Sequence, residues 1–380
     1  MRLTSLSIEQ FRSYPELKID FISENDVHLF VGPNAAGKTN ILESISLLSL
    51  TKSCQGADEV DLIHWGKEFY RVRAEIKHDD GTEGTLEVAS QLAPRKKKAC
   101  FRNDVQVSVG QMVGALPVVL FLPQDLDLFS GPPQQRRQFL DQLLCQVSPE
   151  YLMTLMQYQK IIKHRNKLLK AIAEGKSKSS DLTLWDQQVA ECGADITVKR
   201  LELIEVLQCT LTEELKELGE DWPDAKIVYE RKGEKTALAE VKKEIEDLLE
   251  HYRERDIIIQ STTIGPHRED WRIEVEGHSL PTFASRGQQR TAVLALLFLE
   301  VSYLELQSNE KPIILLDDVF SELDDAHQSA LLKCLEGHQV IITTTHVPEE
   351  LHSANVLNVE KGRVRQEPRT KIQEPIEQCA

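Results

Sequence analysis

Residues 32–39, Gly-Pro-Asn-Ala-Ala-Gly-Lys-Thr, have the residue types and spacing needed to bind the phosphates of a nucleotide. They match the pattern of a glycine, four free positions and then Gly-Lys-Ser/Thr. Gly32 and Gly37 allow the backbone to curl so that successive N–H groups point at phosphate oxygens. We expect Lys38 to reach the β- and γ-phosphates and the Thr39 hydroxyl to ligate Mg²⁺. The other positions expected to contact the nucleotide are Pro33, Asn34, Ala35, Ala36 and Asn40.

The segments on either side of this loop are the ones that such a site requires. Residues 27–31 form a short apolar run that is typical of a buried parallel strand. Residues 40–50 place their apolar side chains on one face of a predicted helix, whose N-terminus adds to the attraction for an anion. The alternative is a glycine-rich turn that matches by chance. The order of strand, loop and helix favours a site for a nucleoside triphosphate, ATP with Mg²⁺.

A second strand supplies carboxylates for the same chemistry. Residues 312–316 are apolar and are followed directly by Asp317 and Asp318. In a phosphate-loop protein an acid in this place holds Mg²⁺, and we assign that role to Asp317. We expect Asp318 to orient or deprotonate the attacking water. The alternative for Asp318 is a solvated acid at the end of a strand.

Residues 285–290, Ser-Arg-Gly-Gln-Gln-Arg, open a long apolar helix and form another surface suited to an anion. Because the chain already has a phosphate loop, we expect Ser285, Gly287 and Gln288 to contact the γ-phosphate held by a partner subunit. ATP would then join two copies head to tail in a homodimer with two composite sites. Ser285 precedes Asp317 by 32 residues, and this placement strengthens an otherwise weak motif.

Two further polar residues follow predicted strands. His346 comes after the run of three threonines at 343–345 and is a candidate to contact the γ-phosphate, although a lone histidine at a strand end is equally often structural. Gln124 follows the apolar run 117–122 and is a candidate to sense Mg²⁺ or the attacking water. We therefore group Asp318, Gln124 and His346 as candidate catalytic residues.

Composition limits the protein classes that remain. The 380 residues are 41% hydrophobic, no apolar run approaches the ~20 residues of a membrane span, and the N-terminus has no signal-peptide pattern. The seven cysteines include no Cys-x-x-Cys pair, which favours reduced thiols and a cytoplasmic location. A net charge of −16 argues against nucleic-acid binding by the whole surface, so any DNA contact would be local.

Two local basic segments are candidates for that contact. Lys160, Lys163, Lys167 and Lys170 recur at helical spacing in a segment without acids. Residues 95–102, which include Lys96 and Lys97, form a basic predicted hairpin. Both segments would bind DNA phosphates without sequence preference. The alternative for each is a solvated charged face.

The pattern of predicted elements divides the chain into four parts. Residues 1–130 are rich in strands, beginning with two half-buried antiparallel strands, and contain the phosphate loop. Residues 131–256 form a predicted helical lobe, and residues 257–365 return to alternating strands and helices, with 256–260 predicted as a strand. Residues 366–380 form a polar tail. We therefore predict an α/β ATPase lobe that is split in sequence by a helical insertion.

Together these motifs resemble the ABC-type ATPases of the SMC and DNA-repair branch, and most closely the RecF family. The resemblance covers nearly the whole chain. Segments shared with ABC ATPases in general are 285–290 (SRGQQR) and 315–324 (LLDDVFSELD). Segments that are more specific to RecF-like proteins include 131–141 (GPPQQRRQFLD) and 262–268 (TTIGPHR). The implied fold is an ABC-type P-loop ATPase head with a mixed sheet, N-terminal antiparallel strands and an inserted helical lobe.

The resemblance also implies a function. RecF-like proteins bind ATP, dimerise, and then bind DNA at junctions of double and single strands next to gaps. They act with RecO and RecR to help RecA load, and weak, DNA-stimulated ATP hydrolysis releases the DNA. Arg12 would approach the nucleotide phosphates, and Ser285 and Gln288 would approach those of the partner. The chain departs from the family pattern at residues 53–55, where a basic residue is expected, and at Gln124, where an acid is common.

Other classes remain as alternatives. A transporter motor would have a far shorter segment between Thr39 and Ser285, and other SMC-like heads would carry long heptad repeats, which this chain lacks. A phosphotransferase would have no use for the segment at Ser285. A binding module that retains ATP but hydrolyses it slowly is close to the RecF-like hypothesis, because Asp318 is shorter than the glutamate usual in ABC motors.

Overall fold

The structure is a computed structural model that describes residues 1–21, 26–348, 351 and 354–366, except for the side chain of Gln366. The strands are β1 Arg2–Phe11, β2 Tyr14–Asp20, β3 Val27–Val31, β4 Phe69–Lys77, β5 Glu83–Gln91, β6 Lys97–Arg102, β7 Val105–Val107, β8 Val118–Phe121, β9 Lys226–Glu230, β10 Asp270–Val275, β11 His278–Ser279, β12 Ile313–Asp317, β13 Val340–Thr344, β14 Asn355–Glu360 and β15 Arg363–Gln366. The helices are α1 Lys38–Leu50, α2 Glu59–Leu62, α3 Val109–Met112, α4 Pro133–Val147, α5 Pro149–Ala173, α6 Thr183–Glu217, α7 Leu238–His251, α8 Arg253–Ile259, α9 Leu280–Phe283, α10 Arg286–Ser308 and α11 Asp325–Cys334. The predicted polar tail, from residue 367 on, lies outside the described residues.

The N-terminal strands form an antiparallel sheet in the order β2-β1-β4-β5-β6-β7. Strand β4 alternates buried with more exposed side chains, and β1 and β5 alternate buried with mostly half-buried ones over much of their length, as expected for a sheet that covers a core with one face. The prediction of antiparallel strands at the start of the chain is therefore confirmed.

The second large sheet carries the phosphate loop and is mixed, in the order β15-β14-β3-β13-β12-β8. All its neighbouring strands are parallel except β14 and β15. Strands β12 and β13 are buried along their whole length, which explains why their sequences are continuously apolar. Because β3, β13 and β12 are adjacent and parallel, their C-terminal ends meet at one edge of the sheet. This is the α/β architecture of the predicted ATPase head.

Two apolar cores hold these layers together. One core lies between the antiparallel sheet, α1 and one face of the mixed sheet. The other joins the opposite face of the mixed sheet to α4, α6 and α10. In the described part of the chain one helix, α10, is long and apolar enough to match a membrane span, but most of it is buried in this second core.

The helical region between β8 and β12 is fixed by buried ion pairs. Arg165 of α5 is completely buried and donates to Asp186 at 2.8 Å and to Asp256 at 2.7 Å. Arg200 of α6 donates to both carboxylate oxygens of Asp141 at 2.9 and 3.1 Å. A small antiparallel sheet, β11-β10-β9, completes this region. These pairs connect α4, α5, α6 and α8, so they specify how the helices pack.

The strand predicted at residues 256–260 is wrong, because the chain there forms α8. The run of three isoleucines after Asp256 has strand propensity, but Asp256 is fully buried and accepts hydrogen bonds from Arg165 and Thr263. Tertiary contacts of this kind override local propensity. Strand β9 was also not predicted. The domain boundaries after residues 130, 256 and 365 stay a prediction.

The burial of Arg165 leads to a prediction about stability. Arg165→Ala leaves Asp256 charged and buried without its partner, which costs about 3–5 kcal/mol of unfolding free energy. The exposed Lys163→Ala on the same helix is the matched control and should change stability by less than about 0.5 kcal/mol. Urea unfolding of both variants measures the difference. A loss below about 1 kcal/mol in Arg165→Ala would show that the pair is unimportant for the fold.

Candidate nucleotide-binding site

The loop between β3 and α1 has the shape of an anion-binding cradle. Gly37 has a φ of 104°, and a Cβ at this position would lie 2.7 Å from Ser13 Oγ, so only glycine fits. The Tyr14 hydroxyl donates to the Gly37 carbonyl at 3.0 Å and holds this end of the loop in place. Pro33, Asn34 and Ala35 are exposed, while Ala36 is buried. The cradle is therefore open to solvent on the side where phosphates would enter.

Helix α1 presents a free N-terminus to this cradle. Among the described residues no side chain caps its first turn, and that turn contains no acid. The Asn40 side chain turns away to donate to Ser13 Oγ at 2.9 Å. The unpaired N–H groups and the helix dipole are therefore available to an anion.

Lys38 lies folded over the loop and is largely buried. Its Nζ donates to the carbonyls of Gly32 at 2.7 Å and Pro33 at 3.0 Å. Burial lowers the pKa of Lys38, while Asp318 and Asp317 oppose that shift. The ammonium is thus held beside the cradle, where phosphate oxygens would compete for its hydrogens.

The acid at the end of β12 meets the start of α1. Thr39 Oγ1 donates to the Asp317 carboxylate at 2.9 and 3.0 Å, and Thr343 Oγ1 of β13 donates to it at 2.6 Å. Asp317 is 8% exposed and forms no ion pair with any described residue. A buried carboxylate next to a phosphate loop, whose partners among the described residues are two threonine hydroxyl groups, is a donor set that suits Mg²⁺. Thr39 and Asp317 therefore fit the predicted metal site.

Asp318 adopts a left-handed backbone conformation, with a φ of 48°. Its backbone N–H donates to the Thr343 carbonyl at 3.0 Å, and its buried Oδ1 has no hydrogen-bond partner among the described residues. Burial raises the pKa of Asp318; Lys38 opposes the shift and Asp317 adds to it. An unpartnered carboxylate oxygen beside the predicted Mg²⁺ site suits a group that accepts a proton from water.

His346 lies close enough to Asp318 to oppose, by its electrostatic effect, the rise in the pKa of Asp318. The histidine is exposed, and its Nδ1 lies 3.1 Å from Thr345 Oγ1. The fold therefore brings His346 to the edge of the sheet that carries the two acids. Its contact with a γ-phosphate stays a prediction.

Arg12 is placed near the loop but is held by an acid that the sequence analysis missed. Its guanidinium forms two hydrogen bonds with Glu43 of α1, at 2.8 and 2.9 Å, and a third with the Asp61 carbonyl. Glu43 is fully buried and also accepts from Ser53 at 2.5 Å. The sequence does mark Glu43, because it is the only charged residue between positions 41 and 50, in a segment that is otherwise apolar or small and polar. Ser53, in the segment that departs from the family pattern, thus helps to hold Arg12.

The predicted partner-facing segment forms the exposed start of α10. Ser285 Oγ accepts from the Gln288 N–H at 3.3 Å, and Gln288 Oε1 accepts from the Ser285 N–H at 3.0 Å. Ser285 and Gly287 are exposed, and within the described residues neither they nor Gln288 form a hydrogen bond with the phosphate loop. This capping box fixes the helix start while leaving its surface open.

Helix α10 is also connected to the segment that follows Asp317 and Asp318, which the sequence analysis did not predict. Arg290 donates to the carbonyl and the carboxylate of Glu322. His327 of α11 lies 2.8 Å from Thr291 Oγ1 and 2.7 Å from Asp324 Oδ1. The start of α10 is therefore linked to the strand that ends in Asp317.

Gln124 lies in a 3₁₀ turn after β8 and lines a cavity of about 130 Å³. The same cavity is lined by Asp125 and by Glu300 of α10. Burial raises the pKa of Glu300 to about 8, with Asp125 adding to the shift, and burial raises the pKa of Asp125 to about 6. Gln124 is thus next to the half-buried Asp125 and shares a cavity with the buried Glu300, and its role with Mg²⁺ or water stays a prediction.

The candidate DNA residues lie on exposed surfaces. Lys160, Lys163, Lys167 and Lys170 are exposed along one face of α5, whereas Arg165 in the same segment is buried and paired. Lys96 and Lys97 are exposed around the start of β6, and the neighbouring Lys98 is paired with Glu59. Arg136 and Arg137 bind Asp270 and the Glu269 carbonyl within the chain. The DNA contacts of the six lysines stay a prediction.

Comparison with known proteins first establishes the class. The family model described as the RecF/RecN/SMC N terminal domain matches residues 2–366. The structure of an SMC head bound to the C-winged helix domain of ScpA is similar in fold, with a TM-score of 0.53 at 14% identity, over 97% of each chain. The fold and the site define an ABC-type ATPase head of this class.

Closer relatives then identify the family. A DNA replication and repair protein RecF of Bacillus cytotoxicus is 34% identical over 96% of this chain and 98% of its own length, and one of Bacillus cereus is 35% identical with the same coverage. A solved structure described as the recombination mediator protein RecF–ATP in the RecFOR pathway matches with a TM-score of 0.87 and 31% identity, over 96% of this chain and 97% of that one. The chain belongs to the RecF family.

The geometry of Lys38 gives a prediction about binding. Lys38→Met removes the cation that faces the phosphates, and loss of its charge-assisted hydrogen bonds should weaken binding of a fluorescent ATP analogue by about 100-fold. Lys52→Met, at an exposed lysine beyond the other end of α1, is the control and should bind as the parent does. Affinity within about threefold of the parent in Lys38→Met would rule out the loop assignment.

The buried Glu300 gives a prediction about pH. Its pKa is about 8 in the fold against 4.5 ordinarily, so between these values the folded state holds a proton that the unfolded chain has released. This contribution to stability is complete below the ordinary pKa and is lost as the pH rises towards the folded value. Glu300→Gln stays neutral, so its unfolding free energy should fall less than that of the parent between about pH 5 and pH 8.

Urea unfolding at the two pH values measures this difference. Glu250→Gln, at an exposed position on α7, is the control and should follow the parent. A Glu300→Gln variant with the same pH dependence as the parent would show that Glu300 ionises normally in the fold.

Proposed function

We propose that this chain is an ATP-dependent DNA-binding protein that works in recombinational repair and replication restart. ATP drives head-to-tail dimerisation, the dimer binds DNA at gap junctions, and slow hydrolysis releases it. The observation that carries the proposal is the contact of Thr39 with Asp317, at 2.9 Å, beside an open phosphate cradle. The bound ATP named for the related RecF structure supports the same ligand here.

We propose Mg²⁺ as the metal, which Thr39 and Asp317 would hold, with Gln124 as a candidate to sense the metal or the attacking water. When bound, Mg²⁺ neutralises charge on the β- and γ-phosphate oxygens. Lys38 and the N–H groups of the cradle would hold the phosphates. Arg12, which is hydrogen-bonded to Glu43, would approach the same phosphates. Asp318 accepts the proton of the attacking water, and His346 contacts the γ-phosphate. Because Asp318 is one methylene shorter than a glutamate, it reaches less far towards the water, which suits a slow switch with weak, DNA-stimulated activity.

The dimer is supported by the open start of α10. Ser285 and Gly287 are exposed and Gln288 is half-buried at a helix N-terminus, and among the described residues none of them hydrogen-bonds to the phosphate loop of its own chain. A γ-phosphate held by a second copy would complete that surface. The Arg290–Glu322 contact gives a route from the surface to the acids of β12.

DNA would bind through backbone phosphates. The lysines at 160, 163, 167 and 170 repeat along one exposed helix face, and Lys96 and Lys97 add a second patch. Binding through such groups is independent of sequence and sensitive to salt. We further propose that the chain acts in the cytoplasm with RecR and RecO, and indirectly with RecA, on single- and double-stranded DNA at gaps. The repair role and the RecFOR pathway named for its relatives support this assignment.

The proposal that Ser285 contacts the γ-phosphate held by a partner subunit can be tested directly. Ser285→Arg places a bulky cation at the proposed dimer contact, while the phosphate loop lies in another element. We expect it to bind ATP as the parent does and to stay a monomer under ATP and Mg²⁺, by light scattering. The substitution also removes a helix cap and costs about 1 kcal/mol, so its thermal midpoint must be checked.

Ser285→Thr keeps a hydroxyl at the cap and is the matched control, which should still form the dimer. A dimer that persists in Ser285→Arg would refute the proposal that this residue contacts a partner's γ-phosphate. Failure of the parent itself to dimerise with ATP would refute the wider proposal.

A further inference from the structure

The hairpin of β14 and β15 is a basic surface on an acidic protein. Residues 361–365 read Lys-Gly-Arg-Val-Arg, and Lys361, Arg363 and Arg365 are all exposed. Within the described residues none of the three forms an ion pair. They line a depression of about 400 Å³, in which Glu360 is the acidic residue among the described lining residues. Three unpaired cations in five residues contrast with the net charge of −16 of the whole chain.

The strand geometry places two of these cations on one face. Val364 packs against the core between the antiparallel sheet and α1, so its neighbours Arg363 and Arg365 point to the opposite face. Residues two apart in a strand are about 6.7 Å apart. This matches the rise along the DNA helix axis over two nucleotides of one strand, at about 3.4 Å each. The spacing therefore suits a run of backbone phosphates.

The same hairpin rests directly on the phosphate loop. The Gly362 N–H points at the Ala36 carbonyl at 3.4 Å, and a Cβ on Gly362 would lie 3.0 Å from the Ser13 carbonyl. A Cβ on Gly32 would lie 2.2 Å from the Val359 carbonyl. Two positions of the loop, Gly32 and Ala36, therefore contact the hairpin. Because these contacts are close, a movement of the hairpin would displace the loop.

We propose that Lys361, Arg363 and Arg365 bind the phosphate backbone of DNA. We further propose that DNA bound to their hairpin changes the position of the phosphate loop, which the hairpin contacts. The inference rests on the proposed DNA-binding function and assigns it a surface distinct from the lysine patches of α5 and β6. DNA on the hairpin would favour the loop position that holds ATP, and by linkage ATP would tighten DNA binding by the same factor.

The test compares two variants of the full chain that lose equal charge. One is Lys361→Gln, Arg363→Gln and Arg365→Gln; the control is Lys216→Gln, Lys226→Gln and Lys235→Gln, at exposed lysines elsewhere. Affinity for a gapped duplex is measured with ATP and Mg²⁺ over a range of KCl concentrations. Three lost phosphate contacts should reduce the slope of log K against log salt by about 2.7, whereas the control should keep the parent's slope. Each single variant should reduce it by about 0.9, which guards against misfolding of the triple variant.

ATP affinity with and without the duplex is the second measurement. The factor by which DNA tightens ATP binding should fall towards one in the hairpin variant and stay at the parent's value in the control. An unchanged factor would overturn the transmission to the phosphate loop. If the parent binds DNA and the hairpin variant keeps the parent's salt slope, the proposal that this hairpin binds DNA is overturned. Self-association of the hairpin variant would then indicate that the charges serve only to protect the edge of the sheet. A parent that does not bind DNA with ATP would overturn the proposed function as well.

Discussion

The contact between the Thr39 hydroxyl and the Asp317 carboxylate joins parts of the chain that are 278 residues apart. It exists because β3, which leads into the phosphate loop, and β12, which ends in Asp317, lie on either side of β13 in one sheet. Thr343, at the end of β13, donates to the same carboxylate. The site is therefore assembled by strand order, and any change that shifts β12 against β13 separates the acid from the loop.

The rest of the molecule supports that strand order from both faces. The antiparallel sheet and α1 cover one face, and α10 with the helical region covers the other. Helix α10 is buried along most of its length but begins at an exposed Ser285. Its contacts with Glu322 and His327 connect that exposed end to the strand of Asp317. A ligand on the surface of α10 would thus act on the segment that directly follows Asp317 and Asp318.

The sequence predicted the parts of the site that depend on local pattern. Lys38, Thr39 and Asp317 lie in segments whose apolar periodicity and glycine spacing define strand, loop and helix without further information. What it did not predict depends on contacts distant in sequence. Glu43 was overlooked because its partner Arg12 comes from another element, and Asp256 was assigned to a strand because its burial beside Arg165 is not a local property. Strands β14 and β15 were not predicted from the sequence: both are short, and β15 is a charged strand at the edge of the sheet.

Sedimentation velocity of the full chain tests the central claim most directly, namely that bound ATP joins two protomers and that DNA is held only by the joined form. The protein is compared without nucleotide, with ATP and Mg²⁺, and with ATP, Mg²⁺ and a gapped duplex. The account predicts a single protomer without ATP, two protomers with ATP, and DNA that sediments with the protein only when ATP is present. A chain that stays single at saturating ATP, and that carries the duplex equally well without nucleotide, would contradict it.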